Sequence, residues 1–289
     1  MRFDSDFLKT LEQVRLVSAA AFAGAGRGER RGRHRGRGIE FADYRPYAQG
    51  DDIRHIDWKA YKRLDRLVLR LFDEEQDLRV YLFVDTSRSM ASHGKFDQAL
   101  RIAASLCYIG ARHLDRVSLM PFADRIGPDV ARGDARQSIA RVFEALEQLS
   151  ADGQTDLWRA VTEFQQRDRR RGLAIVLSDF LDPGGPERPL RLLAAQGHEV
   201  VALHLVAEAD RATDGGLGEV MFVDAESGDR QAVDVTPAAM RAYARAWDEF
   251  DAEVEAACRR SAVQYQKVDV AVPFERAVLH TLRKGRLLE

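Results

Sequence analysis

From residue 79 onward the chain alternates short apolar runs with longer amphipathic stretches. LRVYLFV, running to residue 84, is too short and too uniformly apolar for an exposed helix and predicts a buried strand. KFDQALRIAASLCYIGARH (95–113) repeats apolar residues every three or four positions and predicts a helix. The same alternation continues with strand 116–123, helices 135–149 and 156–168, strand 172–180, helix 187–197 and strand 198–206. Pro121 within RVSLMPFA places that strand at a sheet edge or at a strand end, because proline has no amide to donate to a neighbour. A hairpin around Ser227-Gly228 is expected over 218–235, then an alanine-rich helix (237–260), a last strand (263–270) and a closing helix (274–285). Alternating strands and helices predict an α/β fold: a doubly wound, mainly parallel sheet flanked by helices.

The first 78 residues follow another pattern. Residues 5–23 carry an apolar stripe of Phe7, Leu8, Leu11, Val14, Leu16 and Val17 and predict an amphipathic helix. GAGRGERRGRHRGRG (24–38) holds six arginines and one glutamate, a composition that cannot bury a core. It reads as a solvated linker or as an anion-attracting patch. No strand precedes its G-x-G spacings, so a dinucleotide loop is excluded by context. In residues 39–78, RLVLRLF predicts a strand and AQGDD a turn. This stretch is dense in Arg45, Tyr47, Asp51, Asp52, Arg54, Asp57 and Trp58. Such a mix suits either a β-rich buttress held by Arg–Asp pairs or a partner surface, since Arg, Tyr and Trp concentrate at binding hot spots. The expected division is therefore 1–78 for the helix, Gly/Arg loop and β extension, and 79–289 for the α/β domain.

Composition narrows the class without choosing a function. Hydrophobic content of 45% with 31% charged residues describes an ordinary globular chain, and the net charge of −2 gives no whole-chain pull toward nucleic acid or membrane. No apolar run approaches the length of a membrane span, and MRFDSDFLKTLEQV lacks a signal peptide's apolar centre, so a cytoplasmic location is expected. Cys107 and Cys258 lie in helical apolar contexts and read as small core residues.

Candidate chemistry sits at the ends of the predicted strands. Asp85, Ser87 and Ser89 follow VYLFV, Thr155 lies in the polar turn DGQTDL, and Asp179 ends AIVLSDF. In an open α/β sheet the loops at the carboxyl ends of strands converge on one crevice. Hydroxyls and carboxylates are hard oxygen donors suited to Mg²⁺ or Mn²⁺. A shell with at most two carboxylates leaves the ion net positive and able to recruit a carboxylate from another protein. The plainer reading is that Asp85 and Ser87 cap the next helix. Met90 and Phe180, beside these loops, would supply an apolar rim for a partner. His93, just beyond, is either a turn residue or faces the site.

Together the five residues resemble the metal-ion-dependent adhesion site of a von Willebrand factor A-type domain, each matching one position of its pattern. The segments EFADYRPYAQGDDIRHIDW and LVLRLFDEE resemble the signature of a bacterial family labelled domain of unknown function 58, across about residues 36–285. That resemblance implies a non-enzymatic adaptor that works with a MoxR-type AAA+ ATPase, in chaperone-like maturation or metal insertion, on an acidic protein client. The near-neutral net charge argues against a nucleic-acid partner, and although some members of that family carry membrane helices, the lack of a membrane-length apolar run here argues against stable membrane insertion. The alternative is a metal-dependent phosphoester hydrolase using the same ion. Against it, the haloacid dehalogenase pattern needs an aspartate where Ser87 stands, and only Asp156 and Asp182 remain nearby to enlarge a carboxylate cluster. No G-x-S-x-G elbow, H-E-x-x-H pair or phosphate-binding G-x-x-x-x-G-K-[ST] loop is present, so any ATP hydrolysis belongs to a partner.

Overall fold

The structure, a computed structural model, describes residues 4–16, 40–48, 56–73, 78–113, 115–130, 135–168, 170–211, 217–224, 228–281, 283 and 287–288. Two compact units emerge, residues 23–77 and the remainder of the chain.

The larger unit is built on five parallel strands: β3 (Arg79–Asp85), β4 (Arg116–Phe122), β5 (Leu173–Ser178), β6 (Glu199–Val206) and β9 (Gln264–Asp269). Their order across the sheet is β4-β3-β5-β6-β9. In the centre, Leu82 of β3 stands beside Leu119 on one side and Ile175 on the other. The apolar runs alternate faces as a pleated strand must. Val80, Leu82 and Val84 enter the core layer that holds α3 (Lys95–Arg112), while Tyr81 and Phe83 enter the opposite layer with Phe164 of α5 (Leu157–Arg167) and Leu190 of α6 (Glu187–Ala195). Both faces are thus covered, which is why β3 and β5 carry almost no polar residue. Pro121 lies in β4, the edge strand, where its missing amide leaves no partner unsatisfied within the sheet.

Helix α4 (Ala135–Glu147), α7 (Pro237–Arg260) and the hairpin β7 (Gly218–Val223) with β8 (Arg230–Val235) also follow the sequence pattern. Thr236 caps α7 by accepting a hydrogen bond from the Ala239 amide, and Pro237 occupies the first helical position. The closing helix differs: three α-helical residues, Phe274–Arg276, run into a π-turn at Ala277–Thr281.

The N-terminal segment is the main departure. Helix α1 spans only Ser5–Leu11, and Leu16 instead bridges antiparallel to Leu288. Residues 17–23 of the expected helix, and the Gly/Arg tract after them, lie outside the described residues. Val14 and Leu16 are buried, so the apolar stripe continues although the helix does not. Phe7 packs edge-on against Phe274 at 5.1 Å, and Tyr108 Oη donates to Glu12 at 2.9 Å. The helix therefore belongs with the larger unit, and the division expected at residue 78 leaves it on the wrong side.

Within residues 23–77, β1 (Glu40–Pro46) pairs antiparallel with β2 (Val68–Asp73), with a bulge between Phe41 and Asp43. Between them stands a helix the sequence reading does not anticipate, α2 (Trp58–Leu64). Asp57 starts it by accepting from the amides of Lys59 and Ala60 at 2.9 and 3.0 Å. Among the described residues no helix is long and apolar enough to cross a membrane.

Candidate functional site

The chain leaves β3 toward β4 on one side and returns past it to β5 on the other. This reversal opens a crevice at the carboxyl ends of β3 and β5, the usual position of a ligand in an open α/β sheet. Asp85 is the last residue of β3 and is fully buried. Its Oδ1 accepts from the Ser87 amide at 2.8 Å and its Oδ2 from Ser178 Oγ at 2.5 Å. Ser87 Oγ lies 3.0 Å from Ser89 Oγ, which donates in turn to Asp179 Oδ1 at 3.2 Å. Asp85, Ser87, Ser89 and Asp179 thus form one hydrogen-bonded group of hard oxygens, all buried.

Thr155 comes from a loop tied to the same turn by backbone bonds. Arg88 N donates to Gly153 O at 3.0 Å and Asp152 N to Thr86 O at 2.8 Å. The Arg88 guanidinium also grips Asp152 at 2.6 Å. Thr155 itself is buried. The three separate sequence segments are therefore brought to one place, the capping role of Asp85 being limited to the Ser87 amide.

Burial pushes the Asp85 carboxyl up to about 7, with the charge of Asp179 adding to the effect and the bonds from Ser178 and Ser87 opposing it. Such a group is a poorly neutralised carboxylate. The nearby positive charge goes to Asp179 instead, from Lys95. Its ammonium, 1% exposed, bonds Asp179 Oδ2 at 2.7 Å and Asp210 Oδ2 at 3.0 Å. Burial alone would lower the Lys95 pKa, but Asp179 and Asp210 outweigh it and raise it. His93, in a left-handed turn at φ 55°, is partly exposed with Nε2 3.5 Å from Asp210 Oδ1.

The donor set fits a hard divalent ion, since it combines two carboxylates with three hydroxyls and no thiolate or imidazole. Among the described residues no group of three or more His, Cys, Asp or Glu side chains is arranged to hold a metal, so the serines and threonine carry the fit. Asp156 and Asp182 do not enlarge the cluster. Asp156 accepts from the Arg159 amide, and Asp182 accepts from the amides of Leu157 and Gly184.

Met90 and Phe180 correct the expected rim. They are 0% and 1% exposed and pack inward, so neither presents an apolar surface to a partner. Phe180 adopts φ 56°, unusual for a bulky side chain, with its amide donating to Ser178 Oγ at 2.8 Å and its ring edge-on to His204 at 5.6 Å. A small cleft beside Asp179 is lined by His204, Asp210, Trp247 and Asp251. Of the second candidate surface, Arg45 lies in β1, Tyr47 donates its amide to Leu67 O, Asp57 is the buried cap and Trp58 is 60% exposed. Asp51, Asp52 and Arg54 lie outside the described residues.

Sequence reasoning missed Lys95, Ser178 and Asp210. Ser178 was recoverable as the neighbour of Asp179 at a strand end; Lys95 and Asp210 meet only through the fold.

The model of the family described as "Protein of unknown function DUF58" matches residues 43–253. An uncharacterized protein of Mycobacterium tuberculosis is 31% identical over 246 residues, 83% of this chain and 76% of that one. An uncharacterized protein of Mycobacterium avium is 34% identical over 92 residues, 32% of this chain and 53% of that one. Among solved structures, an aerotolerance-related membrane protein from Bacteroides fragilis, bearing multiple mutations to serines, aligns with a TM-score of 0.42 and 16% identity over 72% of this chain and 99% of that chain.

Proposed function

This chain belongs to the DUF58 family, and we propose that it is a non-enzymatic, von Willebrand A-like adaptor that grips an acidic side chain of a partner. The observation that carries the reading is the buried hydrogen-bonded run of Asp85, Ser87, Ser89 and Asp179 at the sheet's switch point, with the Thr155 loop tied beside it. When bound there, Mg²⁺ or Mn²⁺ would supply an electrophilic centre with room for one outside carboxylate. The protein's own part is to present hydroxyls rather than further carboxylates, which keeps the centre electron-poor.

A hydrolase would need a general base within reach of a bound water and a cleft sized for a substrate. Among the described residues no third His, Cys, Asp or Glu joins Asp85 and Asp179 in a group able to hold a metal, and the cleft beside Asp179 is small. These features favour the adaptor. A MoxR-type AAA+ ATPase is the partner that the resemblance to the domain of unknown function 58 family suggests, the present chain carrying no phosphate-binding loop of its own.

The test is recovery of partners from native lysate on the immobilised full chain, in Mg²⁺ or in EDTA, with Asp85→Ala alongside. An AAA+ ATPase or acidic client recovered only with Mg²⁺ and intact Asp85 is the expected result. Thermal denaturation of Asp85→Ala separates loss of the site from loss of the fold. Equal recovery in all three conditions removes the metal from binding.

A further inference from the structure

We propose that Lys95 is a built-in counter-charge that sets how tightly the crevice holds a divalent cation. The inference rests on the metal reading of the site given above.

Lys95 stands where a lysine is least expected. It is the first residue of α3, at the end of a helix where the dipole favours anions, and it is almost wholly buried. Both costs are offset only by the carboxylates it meets, Asp179 after β5 and Asp210 in the short 3₁₀ turn Glu208–Arg211 after β6. The left-handed pair His93 (φ 55°) and Gly94 (φ 79°) turns the chain so that α3 begins there.

The geometry divides Asp179 between two neighbours. Oδ2 takes the ammonium at 2.7 Å, while Oδ1 faces Ser89 Oγ and the Leu181 amide, both at 3.2 Å. Lys95 therefore leaves free of its own contact the oxygen that looks toward the serines. It acts through charge, not through occupation of the donor position. Lys95 offsets one negative charge of the Asp179–Asp210 pair. Without the ammonium the crevice would hold one more uncompensated negative charge, bind the cation more strongly and leave it less in need of a partner's carboxylate. Lys95 is thus a positioning and affinity-setting residue.

The experiment is calorimetric titration of the full chain with MnCl₂, repeated with MgCl₂, for wild type, Lys95→Met and Asp210→Asn, with thermal denaturation reporting the fold. Lys95→Met is expected to bind Mn²⁺ about tenfold tighter or more, because a unit positive charge is removed within a low-dielectric site. Asp210→Asn is expected to move the other way, by about fivefold, since one negative charge is lost and the ammonium acts on Asp179 undivided. If Lys95 merely ties α3 to the sheet, folded Lys95→Met binds Mn²⁺ equally or more weakly, and the inference is overturned. Should Lys95→Met fail to fold, Asp210→Asn decides: unchanged or tighter binding overturns the inference. Wild-type binding without either shift leaves the metal reading standing and removes Lys95 from it. No binding by any variant overturns both.

Discussion

His204 lies in β6 with its ring set among Phe180, Phe250 and Tyr265, and Nδ1 is 2.9 Å from Tyr265 Oη. Burial lowers its pKa to about 4 from the ordinary 6.5, although Asp251 and Asp179 pull it upward and Lys267 adds to the lowering. Above pH 6.5 folded and unfolded chains both carry it neutral, and its contribution is complete. Between 6.5 and 4 the unfolded chain takes a proton that the folded chain refuses, so stability falls by about 1.4 kcal/mol per pH unit. Asp85, raised to about 7, titrates in an overlapping window with the opposite sign. Only the difference between wild type and His204→Gln is therefore diagnostic. Measured by urea denaturation, the change in unfolding free energy from pH 7 to pH 5 should be more negative in wild type than in the variant by about 2 kcal/mol; equal changes would refute the assignment. At this scale the strand-end positions of the candidate residues were legible in local sequence. Asp85, Ser87, Ser89 and Asp179 follow short apolar runs that form buried strands, and a strand end fixes where its next residues go. Lys95 was not legible: at a predicted helix start it looks like any solvated lysine, and its partners lie 84 and 115 residues away. Met90 and Phe180 were misjudged because an apolar residue near a loop is compatible with rim or core, and the turn geometry chose core.

Among the elements, β5 depends on a residue with no side chain. Gly172 immediately precedes it, and a Cβ there would meet Arg79 O at 2.4 Å and Arg79 Cβ at 2.9 Å. The contact is with backbone at the start of β3, so nothing flexible can yield. Gly172→Ala should separate the first residues of β3 and β5 and destabilise by about 1–3 kcal/mol. A urea midpoint equal to wild type would show that the strands tolerate the separation. The pattern of apolar runs located these strands to within two residues because each is buried on both faces and has no polar interruption. It overran at α1 for the complementary reason. Val14 and Leu16 are buried like the helix stripe before them, yet Leu16 is held by its bridge to Leu288, a contact periodicity cannot anticipate. Helix α2 escaped notice because its seven residues give less than two full turns of pattern.

At the level of the whole molecule, alternation specified a parallel two-faced sheet but not the order of its strands, which long connections determine. For β4 alone Pro121 narrowed the choice locally, to a sheet edge or a strand end, and the strand lies at the edge. The smaller unit asks the remaining question, whether residues 39–78 form a buttress or a partner surface. Helix α2 exposes Trp58 at 60% and Tyr61 at 39%, their rings edge-on at 6.3 Å, with Lys59, Lys62, Arg63 and Arg66 also exposed. A buttress residue is covered, and its removal lowers stability; an exposed aromatic beside cations is the type that anchors a partner. Trp58→Ala should therefore leave unfolding free energy within about 0.5 kcal/mol of wild type. It should at the same time weaken recovery of an acidic partner at least about fivefold, the loss that marks a residue contributing more than 1 kcal/mol to an interface. Loss of stability with recovery falling in proportion would assign the helix to support. Unchanged stability and unchanged recovery would place the partner's grip wholly on the crevice at the ends of β3 and β5.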